Sequence, residues 1–152
     1  MVRVEIMVME GCPTCEWVRK ADSSNIILQN EHAIASAADE WREGHCIVTL
    51  KKHVISVSGI EPNEYASVMD LLARVSKALE TKYGARKTYV VSVGDSNKWQ
   101  HFHFHLLPKH RTLPSYGVYA VQKLNEAEPL RHASIEQQKA LADELRAIVQ
   151  GS

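Results

Sequence analysis

The chain has 152 residues, a length that suggests one domain, 1–152, with a core able to stand without disulfide staples. Lys plus Arg and Asp plus Glu are equal at 18 each, so the formal net charge is zero. That balance argues against a nucleic-acid protein working through a large basic surface and against a polybasic membrane binder, but not against a nucleotide held by a few local donors.

Eight His and three Cys stand out, two of the latter as Cys12-x-x-Cys15. An odd cysteine count, with no charged n-region or long apolar h-region at the N-terminus, argues against a secreted disulfide framework. No stretch approaches the ~18 apolar residues of a membrane span, so the expected compartment is the cytoplasm.

In chain order, Val2 to Val8 alternates as a strand, and Gly11-Cys12-Pro13-Thr14-Cys15 breaks it. Ile26–Gln29 and Ala33–Ala37 read as short strands around a turn at Asn30-Glu31, and Gly44 precedes a third strand, His45–Leu50. Pro62 suits a first helical position, and Tyr65, Val68, Met69, Leu72, Val75, Leu79 and Tyr83 follow at spacings of three and four. Gly84 then supplies a stop, predicting a helix over 62–83. Lys87–Val93 is β-branched, and His101–Leu107 is a further strand. Ser134 with Gln137 forms a capping box for a terminal helix whose apolar face includes Leu141, Leu145 and Ile148. The order predicts an α+β fold: a roughly five-stranded, mainly antiparallel sheet, one long central helix and a C-terminal helix.

The most informative segment is His101-Phe102-His103-Phe104-His105-Leu106-Leu107. Along a strand, alternation puts the three imidazoles on one face and the two Phe on the other. One reading is a solvated polar face that happens to use His. A metal held by this strand alone is geometrically poor, because His101 and His105 would lie ~13 Å apart. The third reading is nucleophilic catalysis by one imidazole, with its neighbours holding a phosphate.

This His-φ-His-φ-His-φ-φ pattern, with φ apolar, resembles the signature of the histidine triad superfamily, and Pro108-Lys109 after it resembles the Pro-Arg that often ends the motif. Gly44-His45-Cys46-Ile47-Val48-Thr49-Leu50-Lys51-Lys52-His53 is similar to the family's Gly-His-x-L-V-x-Pro-Lys-x-His strand, with Leu50 in place of proline. Asn30-Glu31 resembles its Glu-Asn-Glu segment, and the Cys12/Cys15 pair resembles the cysteines of the zinc-containing branch. The likeness spans about two thirds of the chain, Cys12 to Lys109.

The resemblance implies cleavage or transfer of nucleoside monophosphates from phosphoramidate or dinucleoside polyphosphate linkages. By motif position His103 would attack the α-phosphorus and form a nucleotidyl-histidine, with His105 donating to phosphate oxygens. His45, Asn97 and Ser92 would line the substrate, and the strand Ile26–Gln29 would contribute to an apolar base pocket. A structural Zn²⁺ would join Cys12, Cys15, His53 and His101, and Cys46 would be a buried packing residue. A homodimer is implied as well. The chain departs from the family between Gly94 and Gln100, where the stretch before the triad is about two residues shorter, and at Ser92, where an Asn is common.

Two other readings compete. Strand, Gly-Cys-Pro-Thr-Cys and Trp17-Val18-Arg19-Lys20 resemble the strand–CxxC–helix start of a thioredoxin-like redox protein. A zinc-stabilised nucleotide-binding module without turnover would carry the same residues as the enzyme.

Overall fold

The computed structural model describes residues 8–20, 23–39, 42–93, 100–112, 117, 122, 123, 126 and 132–152. Helix α1 (Pro13–Lys20) leads into β1 (Ile26–Gln29), β2 (Ala33–Ala37), β3 (Cys46–Leu50), α2 (Pro62–Tyr83), β4 (Lys87–Val91), β5 (His103–Lys109) and α3 (Ile135–Gln150). The strands form one sheet in the order β1-β2-β3-β5-β4, with every neighbouring pair antiparallel. The predicted Val2–Val8 strand, apart from Val8, lies outside the described residues, as does Asn97.

The β1–β2 turn follows from one side chain. Asn30 Oδ1 accepts from the backbone N–H groups of His32 and Ala33 at 3.1 and 3.0 Å, an Asx turn that reverses the chain. Helix α2 has the predicted bounds. Pro62 opens it, Glu64 Oε2 accepts from the Glu61 N–H at 2.8 Å, and Gly84 closes it at φ 57° with its N–H on Glu80 O.

The buried face of α2 is Glu64, Val68, Leu71, Leu72, Val75, Ala78 and Leu79, and all but Glu64 pack with Ala35, Val48, Leu106 and Leu145 in the main core. Tyr65 and Met69, expected on this stripe, are 39% and 58% exposed. The apolar arc is wider than the contact, and Tyr65 instead reaches out to give its hydroxyl proton to Val57 O at 2.8 Å. Helix α3 buries Ala142, Leu145 and Val149, with Leu141 and Ile148 on the flanks. Both helices cover one face of the sheet and leave the other to the histidines.

Gly44 sets the approach to His45. It sits at φ 82°, and a Cβ there would lie 2.6 Å from the Tyr83 ring and 2.7 Å from Pro108. Gly44→Ala is therefore expected to cost about 2–5 kcal/mol, combining left-handed strain with overpacking. A lower urea midpoint with an unchanged slope would register it.

Candidate active site and metal centre

Strand β5 begins at His103, two residues later than the alternation predicts. His101 precedes the strand, where the Phe102 N–H binds Val54 O at 2.8 Å instead of a ladder partner. The three imidazoles consequently divide into two sites. His101 turns to the cysteines; His103 and His105 remain on the sheet face opposite α2 and α3.

The second site is a chain of rings. His103 Nδ1 lies 2.8 Å from His101 O, His103 Nε2 lies 3.1 Å from His105 Nε2, and His105 Nδ1 lies 3.0 Å from His45 Nε2. A carbonyl only accepts, so the neutral His103 ring carries its proton on Nδ1 and a lone pair on Nε2. His105 must then donate from Nε2, and His45 donates to His105 Nδ1. One backbone carbonyl thus fixes the tautomers of three rings. His45 is 2% exposed and stands two rings along from the cleft-lining His103, stacked on His105 at 5.2 Å. Ser92 is placed close by, but its hydroxyl donates to His103 O at 2.7 Å, holding the strand.

Burial, followed by the neighbouring His103 and His45, pushes the His105 pKa down to about 3 from an ordinary 6.5. His105 is therefore neutral at physiological pH, as the tautomer chain requires. The unfolded chain binds this proton more readily than the folded one, so the contribution to stability is complete above pH ~6.5 and is lost as pH falls from there toward ~3. Thermal melts between pH 7 and pH 4 are expected to fall less steeply for His105→Gln than for the wild type.

His103 opens into a cleft of about 640 Å³ bordered by Trp17, Asn25, Ser36, Ile47, Thr49 and Gln138, among others. Trp17 and Ile47 are its large apolar residues; Asn25 is fixed by donating to Ala37 O at 3.0 Å. The expected base-pocket strand Ile26–Gln29 instead borders a separate groove with α3 residues Lys139, Asp143 and Arg146. The sequence reading missed Trp17. Its signal was present: if Cys12, Cys15 and His101 share one centre, the helix opened by Pro13 must lie beside the histidine strand.

The donor atoms of Cys12, Cys15, His53 and His101 all lie within 4.8 Å of one another. His101 Nδ1 is 3.7 Å from Cys12 Sγ and 3.4 Å from Cys15 Sγ, and His53 Nδ1 is 3.4 Å from Cys15 Sγ. A tetrahedral ion with bonds of ~2.3 Å to sulfur and ~2.0–2.1 Å to nitrogen has S···N edges of about 3.5 Å, so the set fits. The outer contacts fit too. His101 Nε2 donates to Leu50 O at 2.8 Å, leaving Nδ1 as the free ligand atom. The Met9 N–H donates to Cys15 Sγ at 3.4 Å. Burial, with a smaller contribution from Cys12, raises the Cys15 pKa. Bound as thiolates, the two cysteines would bring a charge of −2 into a buried site, and a dication brings the set of four to neutrality. Cys46 is fully buried on the helix side of the sheet, where desolvation pushes its thiol up and leaves it a packing residue.

The HIT domain family profile matches residues 19–112. An uncharacterized HIT-like protein of Mycoplasma genitalium is 32% identical over 120 residues, 76% of this chain and 84% of that protein. The chain belongs to the HIT family, and its Cys/His cluster supports the zinc-containing branch. Two solved structures share the fold. A zinc-bound histidine triad family protein from Mycobacterium smegmatis superposes with a TM-score of 0.69 at 16% identity, covering 93% of this chain and 94% of that one. A Plasmodium falciparum diadenosine triphosphate hydrolase does so with a TM-score of 0.67 at 12% identity, covering 86% and 80%. The thioredoxin-like reading fails on topology. Helix α1 does begin at the Cys pair, with Cys15 in its first turn, but the described strands are all antiparallel and the cysteines face His53 and His101. Among the described residues no helix is long and apolar enough to cross a membrane.

Proposed function

We propose that the protein is a nucleotide hydrolase or nucleotidyl transferase that cleaves nucleoside monophosphates from phosphoramidate or dinucleoside polyphosphate linkages. The observation that carries this reading is the 2.8 Å contact of His103 Nδ1 with His101 O, which leaves the lone pair of a cleft-lining imidazole on Nε2. In the free protein that lone pair accepts the His105 N–H. An arriving phosphate oxygen competes for the same N–H, and once His105 turns to it, His103 Nε2 is released to react.

The Nε2–phosphorus bond forms as the bond to the leaving group breaks, and the leaving group departs with the electron pair. A neutral imidazole approaches an anionic phosphorus without the repulsion an anion would meet. Water or another acceptor then attacks in line, and Nε2 leaves with the electron pair of the phosphorus–nitrogen bond. His105 holds phosphate oxygens in both steps, and His45 keeps His105 in its donating tautomer. Trp17 and Ile47 supply apolar surface for the base, and Asn25 and Thr49 are polar groups of the same cleft that serve the sugar.

Cys12, Cys15, His53 and His101 hold zinc. When bound, it supplies a fixed cross-link; with four protein ligands it has no open position for substrate. The chain works as a single domain in the cytoplasm and as a homodimer. Support for the dimer is the place of β4 at the end of the sheet among the described residues, where Val90 is 43% exposed. A monomer by gel filtration and scattering at micromolar concentration would remove the dimer alone.

Intact-mass measurement after brief incubation with an adenosine phosphoramidate or diadenosine polyphosphate tests the chemistry. An added nucleoside monophosphate, absent in His103→Ala, is expected. No adduct and no turnover on either substrate class would leave a zinc-stabilised nucleotide-binding module as the better reading.

A further inference from the structure

The metal centre lies between the two parts that make the cleft usable. Two of its four ligands, Cys12 and Cys15, bracket the first turn of α1, and the same helix contributes Pro13, Thr14 and Trp17 to the cleft wall. A third ligand, His101, presents its ring to the cysteines and its backbone carbonyl to His103 Nδ1. The fourth, His53, follows β3, which is anchored in the core.

Among the described residues, little else holds α1. It has eight residues, well short of the ~12–15 that an isolated helix needs to be even marginally stable. None of its residues joins the large core under α2 and α3. Val18 packs with Ile26 and Ile34 in a separate small cluster, with Trp17 on its edge. The large core in turn needs nothing from α1.

We propose that the Cys12–Cys15–His53–His101 centre is a clasp for the cleft: metal loss frees the α1 wall and the His101 carbonyl together, disabling nucleotide binding and nucleophile alignment while the sheet and the α2–α3 core stay folded. This rests on the nucleotide reading of the cleft given above. Metal occupancy then acts as a control on the site.

The experiment compares metal-loaded protein, protein stripped by chelator under reducing conditions, and stripped protein given back zinc. Three measurements are made: amide hydrogen exchange, ¹⁵N shifts of the His103 ring, and calorimetric binding of adenosine monophosphate. Stripping is expected to speed exchange across residues 12–20 while α2 amides stay protected. It is also expected to move the His103 shifts from one tautomer toward a mixture and to weaken adenosine monophosphate about 10- to 100-fold, the scale of one lost base–aromatic stack. Zinc should restore all three. Trp17→Ala in the loaded protein should reproduce the affinity loss but leave the His103 shifts in place.

Unchanged exchange over 12–20 in stripped protein overturns the proposal. So does collapse of α2 protection together with α1, because the centre would then be a pillar of the whole fold. Equal affinity of loaded and stripped protein overturns it as well. If the loaded protein fails to bind the nucleotide at all, the nucleotide reading falls, and exchange and ring shifts still decide the clasp.

Discussion

Alanine at His103 is expected to lower turnover by at least ~10⁴-fold while leaving the fold intact, since the variant lacks the imidazole that the proposed mechanism uses as nucleophile. His103 lies on the open sheet face and is only partly buried, so its removal opens no large cavity in the core. His103→Asn keeps much of the shape and is suited to trapping bound substrate. The informative comparison is with His101→Ala. That variant is expected to lose metal and thermal stability first, with activity falling as a consequence. Steady-state rates, metal content and melting temperature measured side by side decide it. Wild-type turnover in His103→Ala, with full metal and no activity in His101→Ala, would reverse the assignment of nucleophile and ligand.

One zinc per chain is the second expectation, and its removal should lower the melting temperature by about 10 °C. Zinc at ~1,000 times its dissociation constant stabilises the folded form by about 4 kcal/mol, and each kcal/mol moves a domain of this size by about 2–4 °C. The ~10–16 kcal/mol that zinc contributes to small finger peptides is not expected here, because the α2–α3 core folds around its own apolar surface. Elemental analysis of protein purified without chelators, followed by calorimetry with and without metal, gives both numbers. Zinc-free protein, or a Cys12–Cys15 disulfide under reducing conditions, would count against the site.

Much of this architecture was legible because the chain punctuates itself. Pro62 and Gly84 bracket α2, and Ser134 caps α3 by accepting from the Gln137 N–H at 3.2 Å. The metal ligands emerged from the family resemblance, and their geometry agrees with it. The late start of β5 did not emerge. Alternation of His and Phe continues for two residues before β5 begins, and residue type cannot mark where ladder bonding starts. Tyr65 and Met69 were misplaced for a related reason: spacing gives the direction of a helical face, while the contact width depends on what packs against it. The cleft wall was hidden because Trp17 and His103 are 86 residues apart and meet only through the fold.

The burial of Cys46 makes the molecule its own gauge. All three cysteines are free and shielded, but for different reasons: Cys12 and Cys15 sit in the metal centre, whereas Cys46 is sealed in the main core with its ionisation suppressed by desolvation. A thiol-reactive dye should therefore count in steps. Loaded protein should take up none, stripped but folded protein two, and denatured protein three. A bench titration of that staircase would report, on one sample and without a substrate, how many molecules carry metal and how many have lost the fold.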